Sequence, residues 1–199
     1  MNNPFVILLH GVGSNGHDLE VVGEFFKSNF PALEYVSPNA PFNFMNSPNA
    51  YQWFSITGVT EGNRYARVVE ARSSFDEKIR EILKENQMEN QLERVVFCGF
   101  SQGAIMALDA VVSGRWPIGG VISIAGRLTS PIKSGINKNT KVLLIHGEAD
   151  TVIPVTESQL AYQELHAAEM KVELNIFPFT AHQITQSILD LSVDFLKSN

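Results

Sequence analysis

The chain has 199 residues, of which 44% are hydrophobic and only 18% charged, and it carries a formal net charge of −6. This length and hydrophobic fraction suit one domain over 1–199 with a substantial core, while the acidic balance argues against nucleic acid and weakens any electrostatic membrane site. Its one cysteine, Cys98, precludes an intrachain disulfide, and no apolar run reaches bilayer length, so no stable membrane insertion is expected.

Phe5, Val6, Ile7, Leu8 and Leu9 form a short apolar run of the kind found in a parallel strand covered on both faces. Residues 4–9 are too short and lack the basic flank of a signal peptide, which makes cytoplasmic the default compartment. The run ends in His10-Gly11-Val12-Gly13-Ser14-Asn15-Gly16-His17-Asp18, a glycine-rich loop entering a helix at about Asp18. A phosphate cradle is a poor reading, because no Lys follows and G-x-x-x-x-G-K-[ST] is absent. An H-G-x-G turn after the first strand instead suits an oxyanion hole with one backbone N–H of the loop as donor, and an ordinary strand-to-helix turn is the structural alternative.

Leu19, Val22, Phe25 and Phe26 fall at helical spacing, and 33–36 reads as a short strand. Residues 38–62 lose periodicity yet hold Phe42, Phe44, Met45, Tyr51, Trp53 and Phe54. Such a loop is either pinned to the body by its aromatics or lines an apolar pocket, with Trp53 and Phe54 as pocket candidates. Over 64–87 the residues Val68, Phe75, Ile79 and Ile82 form one stripe with charge opposite, which predicts a long amphipathic helix with a solvated charged face.

Arg94 to Cys98 reads as a buried strand that runs into Gly99-Phe100-Ser101-Gln102-Gly103, after which Ala104, Ile105, Ala107, Leu108, Val111 and Val112 take helical spacing. G-x-S-x-G between a strand and a helix fits a nucleophile elbow, a sharp turn that lifts a serine hydroxyl above a sheet. Cys98 precedes the turn and reads as a core thiol. Further strands follow at 119–126 and 141–147, the second running into Glu148-Ala149-Asp150, which puts a carboxylate just past a strand end. A helix at 155–170, a strand at 172–177 and a final helix opening at Thr180-Ala181-His182 complete the chain.

Strands alternating with helices predict an α/β fold, with a mainly parallel central sheet, helices on both faces and the strand-end loops gathered on one edge. Ser101, Asp150, His182 and the Val12 loop all belong to that edge. The order serine, acid, histidine can be tested on the five histidines. His10, His17 and His146 precede the acid, and His166 lies inside a helical pattern. His182 alone follows a strand into a loop. Asp109 sits within the elbow helix on a face away from Ser101, whereas Asp150 occupies the required slot and Glu148 lies close to it.

Three segments taken together resemble the phospholipase/carboxylesterase family, which includes the acyl-protein thioesterases: Leu8-Leu9-His10-Gly11-Val12-Gly13, Gly99-Phe100-Ser101-Gln102-Gly103, and His146-Gly147-Glu148-Ala149-Asp150-Thr151-Val152-Ile153-Pro154. Trp53-Phe54 matches a tryptophan-aromatic pair of the family. The resemblance runs from His10 to His182 and implies an α/β-hydrolase fold without a large lid domain. It also implies catalytic Ser101, Asp150 and His182, and an oxyanion hole of the Val12 and Gln102 N–H groups. Trp53, Phe54 and Val152 are then the pocket candidates. The chain departs from the family at Ala104 and Ala181, where relatives usually have Gly. It departs again at Ala125-Gly126-Arg127-Leu128, which lacks the serine common before that Gly, and Arg127 bears on the pocket.

The expected reaction is hydrolysis of carboxylic esters or acyl-thioesters of small or medium acyl groups, with no metal and no organic cofactor. Its substrates would be a small-molecule ester or thioester, an acylated protein or a lysophospholipid, and the chain a monomer or homodimer. The alternatives are a non-catalytic binding protein on the same scaffold, and a lysophospholipase or lactonase.

Overall fold

The structure, a computed structural model, describes residues 3–198. Four apolar runs become β1 (Phe5–Leu9), β5 (Val95–Phe100), β6 (Gly120–Ile124) and β7 (Lys141–Gly147), buried almost throughout because helices cover both faces of their sheet. Two further strands, β2 (Glu34–Val36) and β8 (Lys171–Phe177), close the edges. The strand order is β2-β1-β5-β6-β7-β8, and every pairing in this six-stranded sheet is parallel.

Alternation along β1 assigns the two faces. Phe5, Ile7 and Leu9 join one core with α2 (Glu61–Glu85), α3 (Gln102–Val112) and α4 (Thr156–Ala167). Val6 and Leu8 join the other core with α1 (Glu20–Asn29) and α5 (Gln186–Ser198). The stripe Val68, Phe75, Ile79 and Ile82 faces the first core as its spacing predicts. α3 has no solvent-exposed face, since each of its residues is buried. No helix among the described residues is long and apolar enough to cross a membrane.

Three expectations about element bounds are corrected. The 38–62 segment is not wholly irregular: β3 (Phe42–Asn43) and β4 (Tyr51–Gln52) pair antiparallel in a short hairpin. The last helix starts at Gln186 and not at Thr180, because the Thr180 carbonyl accepts the Ala149 N–H at 3.0 Å and so serves the neighbouring loop. α2 begins at Glu61, ahead of 64, because Thr60 and Asn63 form a capping box.

The charged side of α2 is not all solvated either. Arg72 donates two bonds to Asp109, at 2.7 and 3.1 Å, and Arg115 donates a third at 2.8 Å, while Ser130 donates to the same carboxylate. Asp76 accepts from Arg115 at 3.0 Å and from Trp116 Nε1 at 2.7 Å. The side chain of Asp109 is wholly buried, so removing it leaves the Arg72 guanidinium without its carboxylate and Arg115 with Asp76 alone, in a poorly hydrated seam between α2 and α3. Asp109→Ala should therefore cost about 3 kcal/mol of unfolding free energy, read as a lowered urea midpoint at unchanged slope; a variant as stable as the parent would show that the network contributes nothing.

Candidate active site

Ser101 joins β5 to α3 with φ 54° and ψ −114°, a left-handed backbone that serine adopts only under constraint. Its flanking glycines show the constraint. A Cβ on Gly103 would lie 2.0 Å from the Leu9 carbonyl oxygen, and one on Gly99 would lie 2.5 Å from the Ala104 nitrogen. Strand, turn and helix thus approach too closely for side chains. The Ser101 N–H donates to the Ile124 carbonyl at 2.9 Å and ties the turn to β6.

His182 comes from the loop after β8 and Asp150 from the loop after β7, and parallel strands deliver both to the edge that holds Ser101. His182 Nδ1 is 2.6 Å from Asp150 Oδ2, and its Nε2 is 2.9 Å from Ser101 Oγ. A carboxylate only accepts, so Nδ1 carries the proton and Nε2 accepts from the serine hydroxyl. Phe100 packs against the imidazole at 4.9 Å between ring centres. The Asp150 side chain is fully buried, whereas that of His182 keeps 17% of its surface exposed. Burial alone would raise the Asp150 carboxyl, but hydrogen bonds from His182 and from the Ile153 and Val152 N–H groups outweigh it and hold the group below the usual carboxylate range.

The loop of Gly11 and Val12 faces this set. Gly11 is in near contact with Ser101, and Gly11, Val12, Leu19, Phe100, Val152 and Ile184 line a mostly apolar cleft of about 440 Å³ around Ser101 and His182. Among the described residues, neither the Val12 nor the Gln102 N–H donates within the protein. The loop is braced by the hairpin, with Gly13 N–H donating to Tyr51 O and Tyr51 N–H to Ser14 O, each at 2.8 Å. Its glycines 11, 13 and 16 are in fact spaced G-x-G-x-x-G, a dinucleotide fingerprint in other settings. Here Gly16 lies hard against the Ser37 carbonyl, and β2 ends in Tyr35 and Val36 without the acidic residue that would meet a ribose.

Of the three pocket candidates, only Val152 lines the cleft. Trp53 is wholly buried in the first core, donates from Nε1 to the His10 carbonyl at 2.9 Å and stacks edge-on to Phe75. Phe54 is also buried and borders a separate groove with Phe42, Arg67 and Ala71. Gln102 explains both placements. Its Oε1 accepts the Trp53 N–H at 2.7 Å and its Nε2 donates to the Phe54 carbonyl at 2.8 Å, which fixes this stretch as a support for the elbow.

Other residues take clear places. His10 donates from Nδ1 to the Gly11 carbonyl and accepts the Ala40 N–H at Nε2, and burial lowers its pKa. His146, passed over in the sequence because it precedes the acid, is completely buried against the Asp150 turn. Arg127 lies 3.5 Å from Glu157, and among the described residues its buried Nε has no partner. Burial pushes the Cys98 thiol up to about 12, in keeping with a core residue. No three His, Cys, Asp or Glu side chains among the described residues are grouped to hold a metal ion.

The whole chain, residues 1–199, matches the sequence profile of the Phospholipase/Carboxylesterase family. Esterase YpfH of Escherichia coli is 32% identical over 192 residues, covering 96% of this chain and 81% of the relative. Acyl-protein thioesterase 1 of Saccharomyces cerevisiae is 25% identical over 210 residues, covering 98% and 92%. Among solved structures, the crystal structure of esterase PE8 superposes with a TM-score of 0.85 at 32% identity, covering 98% of this chain and 92% of that one. The α/β-hydrolase fold and the profile agree, and the chain belongs to the phospholipase/carboxylesterase family.

Proposed function

We propose that this protein is a serine hydrolase that cleaves carboxylic esters or acyl-thioesters, with Ser101 as nucleophile, His182 as base and Asp150 as the acid that orients it. The relay from Ser101 Oγ to His182 Nε2 and from His182 Nδ1 to Asp150, at 2.9 and 2.6 Å, carries this reading. Esterase and thioesterase activities in the names of relatives support the same reaction class.

In the first step Ser101 Oγ attacks the acyl carbonyl carbon while its proton passes to His182 Nε2. The tetrahedral oxyanion would lie between the N–H groups of Val12 and Gln102, the second at the positive end of α3. Collapse expels the alcohol or thiol, which takes the proton from His182 and leaves an acyl-Ser101 ester. Water, deprotonated by His182, then attacks that ester, and the second intermediate releases the acid and restores the serine. The buried Asp150 carboxylate stabilises the imidazolium in both steps. An apolar cleft of about 440 Å³ suits a small or medium acyl group, carried by a small molecule or an acylated protein.

Ser101→Ala should reduce p-nitrophenyl butyrate turnover by roughly a thousandfold or more and abolish labelling by a fluorophosphonate probe; near-parental activity in the folded variant would sink the assignment. Because Asp150 is held below the usual carboxylate range, it stays ionised where the enzyme works and does not itself take up a proton there. The acid limb of kcat/KM should therefore lose activity as pH falls with the uptake of a single proton, and a limb steep enough for two protons would contradict the division of roles. In a p-nitrophenyl ester series, kcat/KM should peak at a short or medium chain, and a maximum at palmitate would overturn the size argument.

A further inference from the structure

Resting on that reading, we infer that His146 is a positioning residue that holds the acid turn, and with it Asp150, in the orientation that meets His182. His146 is the penultimate residue of β7, and its side chain is completely buried. Both ring nitrogens are used. Nε2 lies 2.8 Å from the Ile153 carbonyl and Nδ1 lies 2.6 Å from Ser158 Oγ, on the first turn of α4. A backbone carbonyl only accepts, so Nε2 carries the proton and Nδ1 accepts from the serine hydroxyl. The tautomer is thereby settled by the fold.

Ile153 is thus gripped from both sides. Its carbonyl accepts the His146 Nε2–H, and its N–H, with that of Val152, donates to Asp150 Oδ1 at 2.9 and 2.8 Å. The other carboxylate oxygen, Oδ2, accepts from His182 and also lies 3.4 Å from His146 Nε2. One imidazole therefore touches the turn through a full hydrogen bond and faces the carboxylate with the same N–H. An apolar side chain of equal size would leave the Ile153 carbonyl unsatisfied in a dry site, and the turn would reorient to find a donor. The sequence Ser158, His146, Ile153, Asp150, His182, Ser101 is a continuous chain of polar contacts from α4 to the nucleophile.

The test compares His146→Leu, His146→Gln and Ser158→Ala with the parent, each normalised to the serine that a fluorophosphonate titrates. Leu removes the donor, while the amide of Gln can restore one near the Nε2 position. His146→Leu should lower kcat per titrated serine by about 10- to 100-fold, by analogy with the loss of outer partners that orient metal-ligating histidines, with KM little changed. Its acid limb should also move to lower pH, because an imidazolium without an aligned carboxylate forms less readily. His146→Gln should recover most of the rate. Lost stability alone would lower the titratable fraction and leave both the per-site rate and the limb in place, and that result overturns the inference. If His146→Leu does not fold, Ser158→Ala decides. A several-fold loss with the same direction of limb shift supports the role, and parental behaviour refutes it. Ser101→Ala run alongside separates the two ideas: if it stays active the serine reading has failed, and if it is inactive while His146→Leu is unaffected only this inference has.

Discussion

The left-handed backbone at Ser101 is the constraint on which the rest of the edge depends. Residues in such conformations cost of order 1–3 kcal/mol and persist only where their surroundings leave no alternative. Here the surroundings are the Leu9 carbonyl against Gly103, the start of α3 against Gly99, and the bond from Ser101 N–H to Ile124. β1, β5 and β6 therefore jointly impose the turn, and the buried helix α3 prevents it from relaxing. The serine hydroxyl is held at the lip of the cleft because the sheet core allows nothing else.

Around that fixed point the polar groups are arranged by burial. The carboxylate of Asp150 is enclosed and fully hydrogen-bonded, the imidazole of His182 is partly open, and the cleft beyond is apolar. Low dielectric strengthens the bonds to the carboxylate, those bonds keep it ionised against the opposing effect of burial, and each of them is costly to lose. Gln102 does comparable work on the other side, where its amide fastens the backbone of Trp53 and Phe54 to the first turn of α3.

Much of this was legible in the amino-acid sequence, for reasons that differ by element. β1, β5, β6 and β7 are covered on both faces and so are written as unbroken apolar runs, which cannot be mistaken for loops. Ser101, Asp150 and His182 stand out because each follows a strand and their order is restrictive, and the fold brings them within hydrogen-bond distance. The hairpin of two-residue strands has no period to detect. Trp53 was ambiguous because an aromatic in a long loop packs equally well inward or into a pocket, and the deciding partner, the Gln102 amide, is 49 positions away. Asp76 and Arg72 look like any charges on a helix until Arg115 and Asp109 are seen opposite them. His146 stood in the sequence only as the first residue of the acid-loop segment, and nothing there pointed to its bond with a carbonyl seven residues on.

The strand order has a temporal consequence. β1 neighbours β5, so Phe5 pairs with Val95 and Leu9 with Gly99, although nearly half the chain separates them. On a ribosome, synthesis proceeds at about 5–20 residues per second, so β1 waits several seconds with an unpaired edge before its central partner emerges. During that interval only β2 can pair with it, and an apolar strand with an open edge is an invitation to aggregate. The parallel architecture that later forces Ser101 into place thus leaves the first hundred residues of the nascent chain with an open apolar edge until β5 has been made.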